Sequence, residues 1–196
     1  AAHAGSEGAS LDWLRSALAA DAHAVESEFG VARDASQLGV ERNLLRYLPT
    51  DVVVRMAGDA QLEHLLRVVA AGLAAGASPI VSVSSALPQP LADACARAGV
   101  TVQVEDHATW CARVATLAAA SGPAASARIR LVAGASRAQL IADTYAAAGG
   151  KPDIAVYGGA VVAAGRVEML PHLREQAVSI TAHRFGTPNT LTDGLI

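Results

Sequence analysis

From Asp51 onward, short apolar runs alternate with longer stretches whose apolar positions recur every three or four residues. "DVVVRMA", "PIVSVS", "VTVQV", "ARIRLVA" and "DIAVYGG" have the length and β-branched content of strands. Between the first two, Leu62, Leu65, Leu66, Val69 and Leu73 share one helical face, with Asp59 as the expected cap and Gly76 as the stop. "QPLADACARAG" starts with Pro and ends with Gly, as helices do. "ATWCARVATLAAA" and "RAQLIADTYAAAGG" supply two more helices, the latter with Ser136 as its expected cap. Strands alternating with helices of this length predict right-handed crossover units and a parallel sheet. The predicted fold is α/β, a Rossmann-like three-layer sandwich with a mainly parallel sheet.

The two ends break that rhythm. Ser10 is placed to cap a helix carrying Leu11, Leu14, Leu18, Val25 and Phe29 on one side, with Gly30 as its stop. "VARDASQLGVERNLLRYLPT" reads as an irregular connector. Near the other end, "AVVAAGRVEMLPHLREQ" reads as a poor helix interrupted by Pro171. "AVSITAH" alternates as a strand does, and Gly186, Pro188 and Asn189 then argue for extended, looped chain. The expected organisation is a linker over 1–9, a helix and connector over 10–50, the α/β domain over 51–170, and a C-terminal tail over 171–196.

Composition narrows the class. With 52% hydrophobic and 17% charged residues among 196, the chain suits one globular domain rather than a disordered segment. Net charge is −3 and no basic face stands out, which argues against a nucleic-acid partner. The longest weakly charged run, Val68 to Val83, is too short to span a bilayer, and it is broken by Pro79. No charged-then-apolar leader precedes it, and Cys95 and Cys111 build no disulfide framework, so the expectation is a reducing cytoplasm. The opening "AAHAGSEGAS" carries no initiator Met. That suits a chain cut from a longer protein; a trimmed tag or a processed terminus explains the same start.

Motif by motif, the residues show little chemistry. No G-x-G-x-x-G follows any strand. Gly58 after the first strand, Ser84 after the second, and Gly134 with Ser136 after the fourth are the cofactor-binding candidates, at strand ends where such sheets bind ligands. For Gly134 and Ser136 the phosphate signal is weak, and a tight turn followed by a helix cap explains the same residues more simply. "GASRA" misses the nucleophile elbow because Ala138 stands where its second Gly belongs. Cys95, beside Leu91 on one helical face, and Cys111 both read as core. The six histidines show no zinc spacing, and no metal site is expected. Glu105 and Asp106 lie just after a strand, where catalytic acids sit, and just before a helix, where they serve as caps.

"FGVARDASQLGVERNLLRYLP" followed by "VVVRMAGD", and the tail "LREQAVSITAHRFGTPN", resemble the C-terminal domain of long bifunctional proline utilization flavoenzymes. The family couples an FAD-dependent proline dehydrogenase to an NAD-dependent glutamate-semialdehyde (pyrroline-5-carboxylate) dehydrogenase. The resemblance covers roughly residues 26 to 196. It implies a fold like the NAD-binding domain of the aldehyde dehydrogenase superfamily. "VAAGLAAGASPIVSVSSALPQP" is similar to the superfamily segment in which a Lys ends the strand near the nucleotide; here Ser84 stands near that position. The superfamily's catalytic Cys and Glu motifs have no counterpart, so the resemblance implies a segment without catalytic residues. FAD and NAD would belong to upstream domains.

The same resemblance gives the tail a role. Gln176, Val178, Ser179, Ile180, Thr181, His183, Arg184 and Phe185 would cover the active site of the upstream aldehyde dehydrogenase domain, and a homodimer through the tail is the other pairing open to such a strand. Val178 and Ile180 packing in the domain's own sheet is the competing reading of the same residues. Two further functions stay open. One is an autonomous NAD-like nucleotide-binding domain using Gly58, Ser84 and Gly134. The other is a small hydrolase or transferase using Glu105, Asp106 or His107.

Overall fold

A computed structural model describes residues 2–120, 127–188, 190 and 194, with side chains from Ser10 onward. The chain enters as helix α1, Ala2–Ala24, closed by a π-helical turn, Val25–Phe29, and Gly30. Two strands follow, β1 (Arg33–Asp34) and β2 (Glu41–Pro49). The five expected strands are all present as β3 (Val53–Met56), β4 (Ile80–Val83), β5 (Thr101–Val104), β6 (Ala127–Val132) and β7 (Ile154–Tyr157). Between them run α2 (Leu62–Ala74), α3 (Gln89–Arg97), α4 (His107–Ala119) and α5 (Arg137–Ala147). A short α6 (Gly165–Glu168) and a 3-10 turn (Leu170–His172) lead into β8 (Leu173–Thr181) and a small hairpin, β9 (His183–Arg184) with β10 (Thr187–Pro188).

Strands β3 to β7 pair in parallel in the order β5-β4-β3-β6-β7. The order reverses at β3, which is Rossmann-like winding. Alternation along the strands splits the core between the two faces. Val54, Met56, Val81 and Val83 meet Leu65, Val68 and Val69 of α2 and Cys95 of α3. Val53, Ile129 and Leu131 meet Trp110 and Val114 of α4 and Leu140 of α5. Each such aliphatic side chain contributes about 1.5–3 kcal/mol when withdrawn from water.

A second sheet stands apart from the first. β2 and β8 pair antiparallel over nine residues each, from Glu41 opposite Thr181 to Pro49 opposite Leu173, and β1 flanks β2. The stretch read as an irregular connector therefore contains the longest strand pairing in the chain. "ERNLLRYLP" shows no clean alternation because it forms only by pairing with a partner about 130 residues away, which local pattern cannot reveal. The expected strand "AVSITAH" starts earlier than read, at Leu173, and ends at Thr181. Its root is packed: Phe29 meets Tyr47 edge to face at 4.9 Å, beside buried Ala71, Met169 and Leu173.

The N-terminal helix also departs from expectation. It runs back through the stretch read as a linker, so Ser10 lies inside it rather than capping it, and Ser10 Oγ donates to Glu63 Oε2 instead. The Ala-rich composition favours helix there despite Gly5 and Gly8. The inward face is Ala17, Asp21 and Ala24, while Leu11 and Leu18 are 53% and 49% exposed. Small residues win because α1 lies tightly against α6, where a Cβ at Gly165 would strike the Ala20 carbonyl. Asp21 is drawn in by Arg67 of α2, which donates to both carboxylate oxygens at 2.6 and 2.8 Å.

Candidate functional site

The carboxyl ends of β3, β4 and β6 bring together all four cofactor-binding candidates. Gly58 lies against Ser84, where a Cβ on Gly58 would be 3.2 Å from Ser84 Oγ. Gly134 and Ser136 face the loop after β3 through Asp59. That carboxylate accepts from Gly134 N (3.2 Å), Ser136 N (2.7 Å) and Ser136 Oγ (2.8 Å). Asp59 therefore does not cap α2, which begins at Leu62 after an extended Gln61. Nor does Ser136 cap α5 with its hydroxyl, which is turned to Asp59. An anion, the Asp59 carboxylate, therefore already holds the two loop amides that lead into α5. Hydrogen bonds from Ser136 hold the Asp59 carboxyl below the usual range. Gly134 leaves room for this approach, since a Cβ there would fall 2.6 Å from the Asp59 carbonyl oxygen.

Beneath that edge, on the α4/α5 face, lies a buried polar network that the sequence reading missed. Arg55 of β3 is 3% exposed and donates from Nη1 to Ser82 Oγ (2.8 Å) and to the Glu105 carbonyl (2.9 Å). Its guanidinium carbon stands 5.4 Å from the centroid of the Trp110 ring, and Trp110 Nε1 donates to Thr144 Oγ1 at 3.3 Å. Ser82 Oγ donates to Glu105 Oε2 at 2.6 Å, and Arg113 pairs with Glu105 Oε1 at 2.8 Å. Burial pushes the Arg55 pKa down, against the opposing charges of Glu105, Cys111 and Asp106. The signal was the Arg inside "DVVVRMA", since a buried cation in a β-branched run demands partners. Asp106 does cap α4, accepting from Thr109 N at 2.7 Å, whereas Glu105 is absorbed in the network.

His107 opens α4 and meets two groups. Its Nε2 lies 3.3 Å from Asp143 Oδ2 and 3.6 Å from Cys111 Sγ, one turn further along. Burial pushes the Cys111 thiol up and Asp143 adds to that, so the cluster does not favour a thiolate. Cys95 is buried beside Leu91, as expected. Among the described residues no group of three or more His, Cys, Asp and Glu could hold a metal ion, and no helix is long and apolar enough to cross a membrane.

Gly58 and Ser84 separate two cavities. One, of about 210 Å³, lies toward α2 and α3, bordered by Ala60, Ser85 and Pro88. The other, of about 230 Å³, lies toward α4 and α5, bordered by Arg55, His107, Ser136 and Asp143.

The tail candidates form the other region. Gln176, Val178 and Ile180 project from one face of β8 and are half-buried, while Ser179 and Thr181 project from the opposite face and are exposed. Gln176 Oε1 accepts from Arg46 Nε at 2.7 Å, and Ser179 Oγ donates to Asn43 Oδ1 at 2.8 Å, so these side chains tie β8 to β2. β8 is the last strand of its sheet, β1-β2-β8, and among the described residues its outer backbone edge pairs with nothing. His183, Arg184 and Phe185 are exposed beyond it. Phe185 and Gly186 both have positive φ, 51° and 84°, forming the two-residue turn of the β9–β10 hairpin. Phe185 is 94% exposed, with the Arg184 guanidinium over its ring at 5.5 Å. Asn189, expected in extended, looped chain, lies outside the described residues.

No protein-family model matches the chain, and no curated protein matches it. Solved structures do. Proline utilization A from Corynebacterium freiburgense is similar at a TM-score of 0.55 and 28% sequence identity, over 89% of this chain. The chain spans 14% of the length of that protein. Its fold is related to a part of that protein.

Proposed function

We propose that this chain is a non-catalytic structural domain of a bifunctional proline-catabolic enzyme, with the β2/β8 flap covering the active site of the parent's aldehyde dehydrogenase domain. The parent would oxidise proline to glutamate through pyrroline-5-carboxylate, with FAD and NAD held by its catalytic domains. The flap would help retain the intermediate between the two reactions. The observation that carries this reading is the likeness to a segment of proline utilization A over most of the chain.

The flap has the physical features the role needs. It is rooted by Phe29, Tyr47, Met169 and Leu173, so it can bear a load. It ends in a free strand edge, which can accept a further strand through backbone hydrogen bonds. Phe185 at its tip is almost fully exposed, and an aromatic anchor of that kind is what protein interfaces use. A cover of this kind would shield a reactive semialdehyde from bulk water, a gating role. Free Cys95 and Cys111 suit a cytoplasmic parent.

The test uses the complete parent enzyme, with and without residues 173–188. NADH formation is followed from pyrroline-5-carboxylate, and from proline with an electron acceptor. Loss of the aldehyde step, or a lag in the coupled reaction, with proline oxidation intact is the expected result. Unchanged aldehyde oxidation and no lag would remove the cover from consideration.

A further inference from the structure

We propose that the cavity between the carboxyl edge of the sheet and helices α4 and α5 binds a small amino acid as its zwitterion, with the carboxylate toward Arg55 and the ammonium toward Asp143. This is independent of the flap reading, which concerns β2 and β8.

The cavity lies at the position where the strand order reverses, between β3 and β6, which is where open α/β sheets take their ligands. Its volume, about 230 Å³, falls below the roughly 300–1,000 Å³ of sites that take drug-sized ligands. A dinucleotide does not fit, and its phosphates would find the amides of Gly134 and Ser136, just before α5, already taken by Asp59.

Arg55 supplies the argument for a carboxylate. It borders the cavity at 3% exposure, and its Nε–H makes no hydrogen bond. Its Nη1 serves Ser82 and a backbone carbonyl, neither of which is charged. Glu105, whose charge opposes the effect of burial on Arg55, takes its side-chain hydrogen bonds from Ser82 and Arg113. Among the described residues no carboxylate hydrogen-bonds to this buried guanidinium, and a bound carboxylate would supply a direct charge-assisted contact. Ser84, at the mouth, offers a hydroxyl to the same group.

Asp143 supplies the argument for an ammonium. Its carboxylate lies on the α5 wall of the same cavity and meets only Gln139 Nε2 (2.8 Å) and His107 Nε2 (3.3 Å). A plain carboxylic acid would leave that negative charge facing its own. A zwitterion answers both walls at once, and the small volume limits its side chain.

The test titrates the isotope-labelled chain with glycine, L-alanine, acetate and methylammonium, following the backbone amide resonances of Gly58, Ser84 and Ser136. Glycine and alanine are expected to shift these signals in a saturable way, and acetate and methylammonium to bind at least about tenfold more weakly, the value of one charge-assisted hydrogen bond. Asp143→Asn, on a partly exposed helix face, is expected to fold normally and to weaken the amino acids about tenfold while leaving acetate unchanged or improved. Acetate binding as tightly as glycine would overturn the zwitterion, and no saturable shift with any of the four probes would overturn the site. Arg55→Lys tests the other wall, and equal glycine affinity in a folded Arg55→Lys chain would also count against the assignment.

Discussion

The imidazole of His172 lies so close to Gly72 of α2 that a Cβ on Gly72 would stand 2.9 Å from both Nδ1 and Cε1 of the ring. This contact joins α2 to the turn from which β8 departs. An Ala in a helix interior is ordinarily favoured over Gly by about 1 kcal/mol. Here Gly72→Ala is expected to destabilise the chain, because the ring is fully buried and has nowhere to retreat. In a His172→Ala background the same change should stabilise. Urea unfolding of the four chains measures the reversal, and a Gly72→Ala single variant that gains stability would refute the contact.

His172 also predicts a pH dependence. Neither ring nitrogen has a hydrogen-bond partner. Burial pushes its pKa from 6.5 down to about 4; Glu168 opposes this, and Arg130, Arg128 and Arg67 add to it. The unfolded chain therefore takes up the proton first as pH falls below 6.5. The neutral ring's full stability is present above 6.5 and is lost progressively toward pH 4. The loss is about 2 kcal/mol at pH 5 and about 3 kcal/mol at pH 4. Unfolding free energies at pH 7 and pH 5 should differ by about 2 kcal/mol more in the unsubstituted chain than in a His172→Leu variant. Equal pH slopes in the two would mean that His172 is hydrated or paired.

Asp21 and Arg67 are 1% and 0% exposed at their side chains, and Arg67 also serves the carbonyls of Val162 and Ala163. Arg67→Met should therefore cost about 3–5 kcal/mol, since it strands a buried carboxylate. Adding Asp21→Leu should recover most of the loss, because two apolar residues of similar volume can replace a buried pair at little net change. Thermal or urea unfolding of the two variants decides it. A mild single variant would show that water reaches Asp21.

Phe185 occupies a turn position with φ of 51°, where a bulky L-residue is strained by about 1 kcal/mol or more. Phe185→Asn suits that conformation and should stabilise the hairpin of the isolated chain by an amount of this order. In the complete enzyme the same change should impair aldehyde oxidation, if the tip is an anchor. Amide exchange at Thr187 reports the first effect and NADH formation the second. A Phe185→Asn chain unchanged in both assays would assign the tip no role.

The parallel sheet was legible because each strand, helix and Gly stop is a local pattern, and Gly76 and Gly99 do end their helices with positive φ. What escaped was non-local. β2 has no pattern of its own and exists because β8 faces it residue by residue. The inward face of α1 is set by Arg67, not by its leucines. Asp59 stood in the right place to cap α2, yet its carboxylate found the amides of Gly134 and Ser136, 75 and 77 residues further on. The strand-end candidates do lie together at one edge. Their filled neighbour, Asp59, and the charged floor beneath them, Arg55, could be seen only once β3, β4 and β6 were side by side.

The pairing of β2 with β8 also has a consequence for how the molecule comes into being. Glu41 must find Thr181 across nearly the whole chain, and contacts of such separation form late because loop closure must come first. During synthesis, β2 leaves the ribosome well before its partner is made. The parallel sheet between them can assemble in the interval from its nearer pairings, and β8 then closes onto an edge that has waited. A chain that stops short of Leu173 would keep a folded body with an open strand, prone to capturing the β8 of another copy.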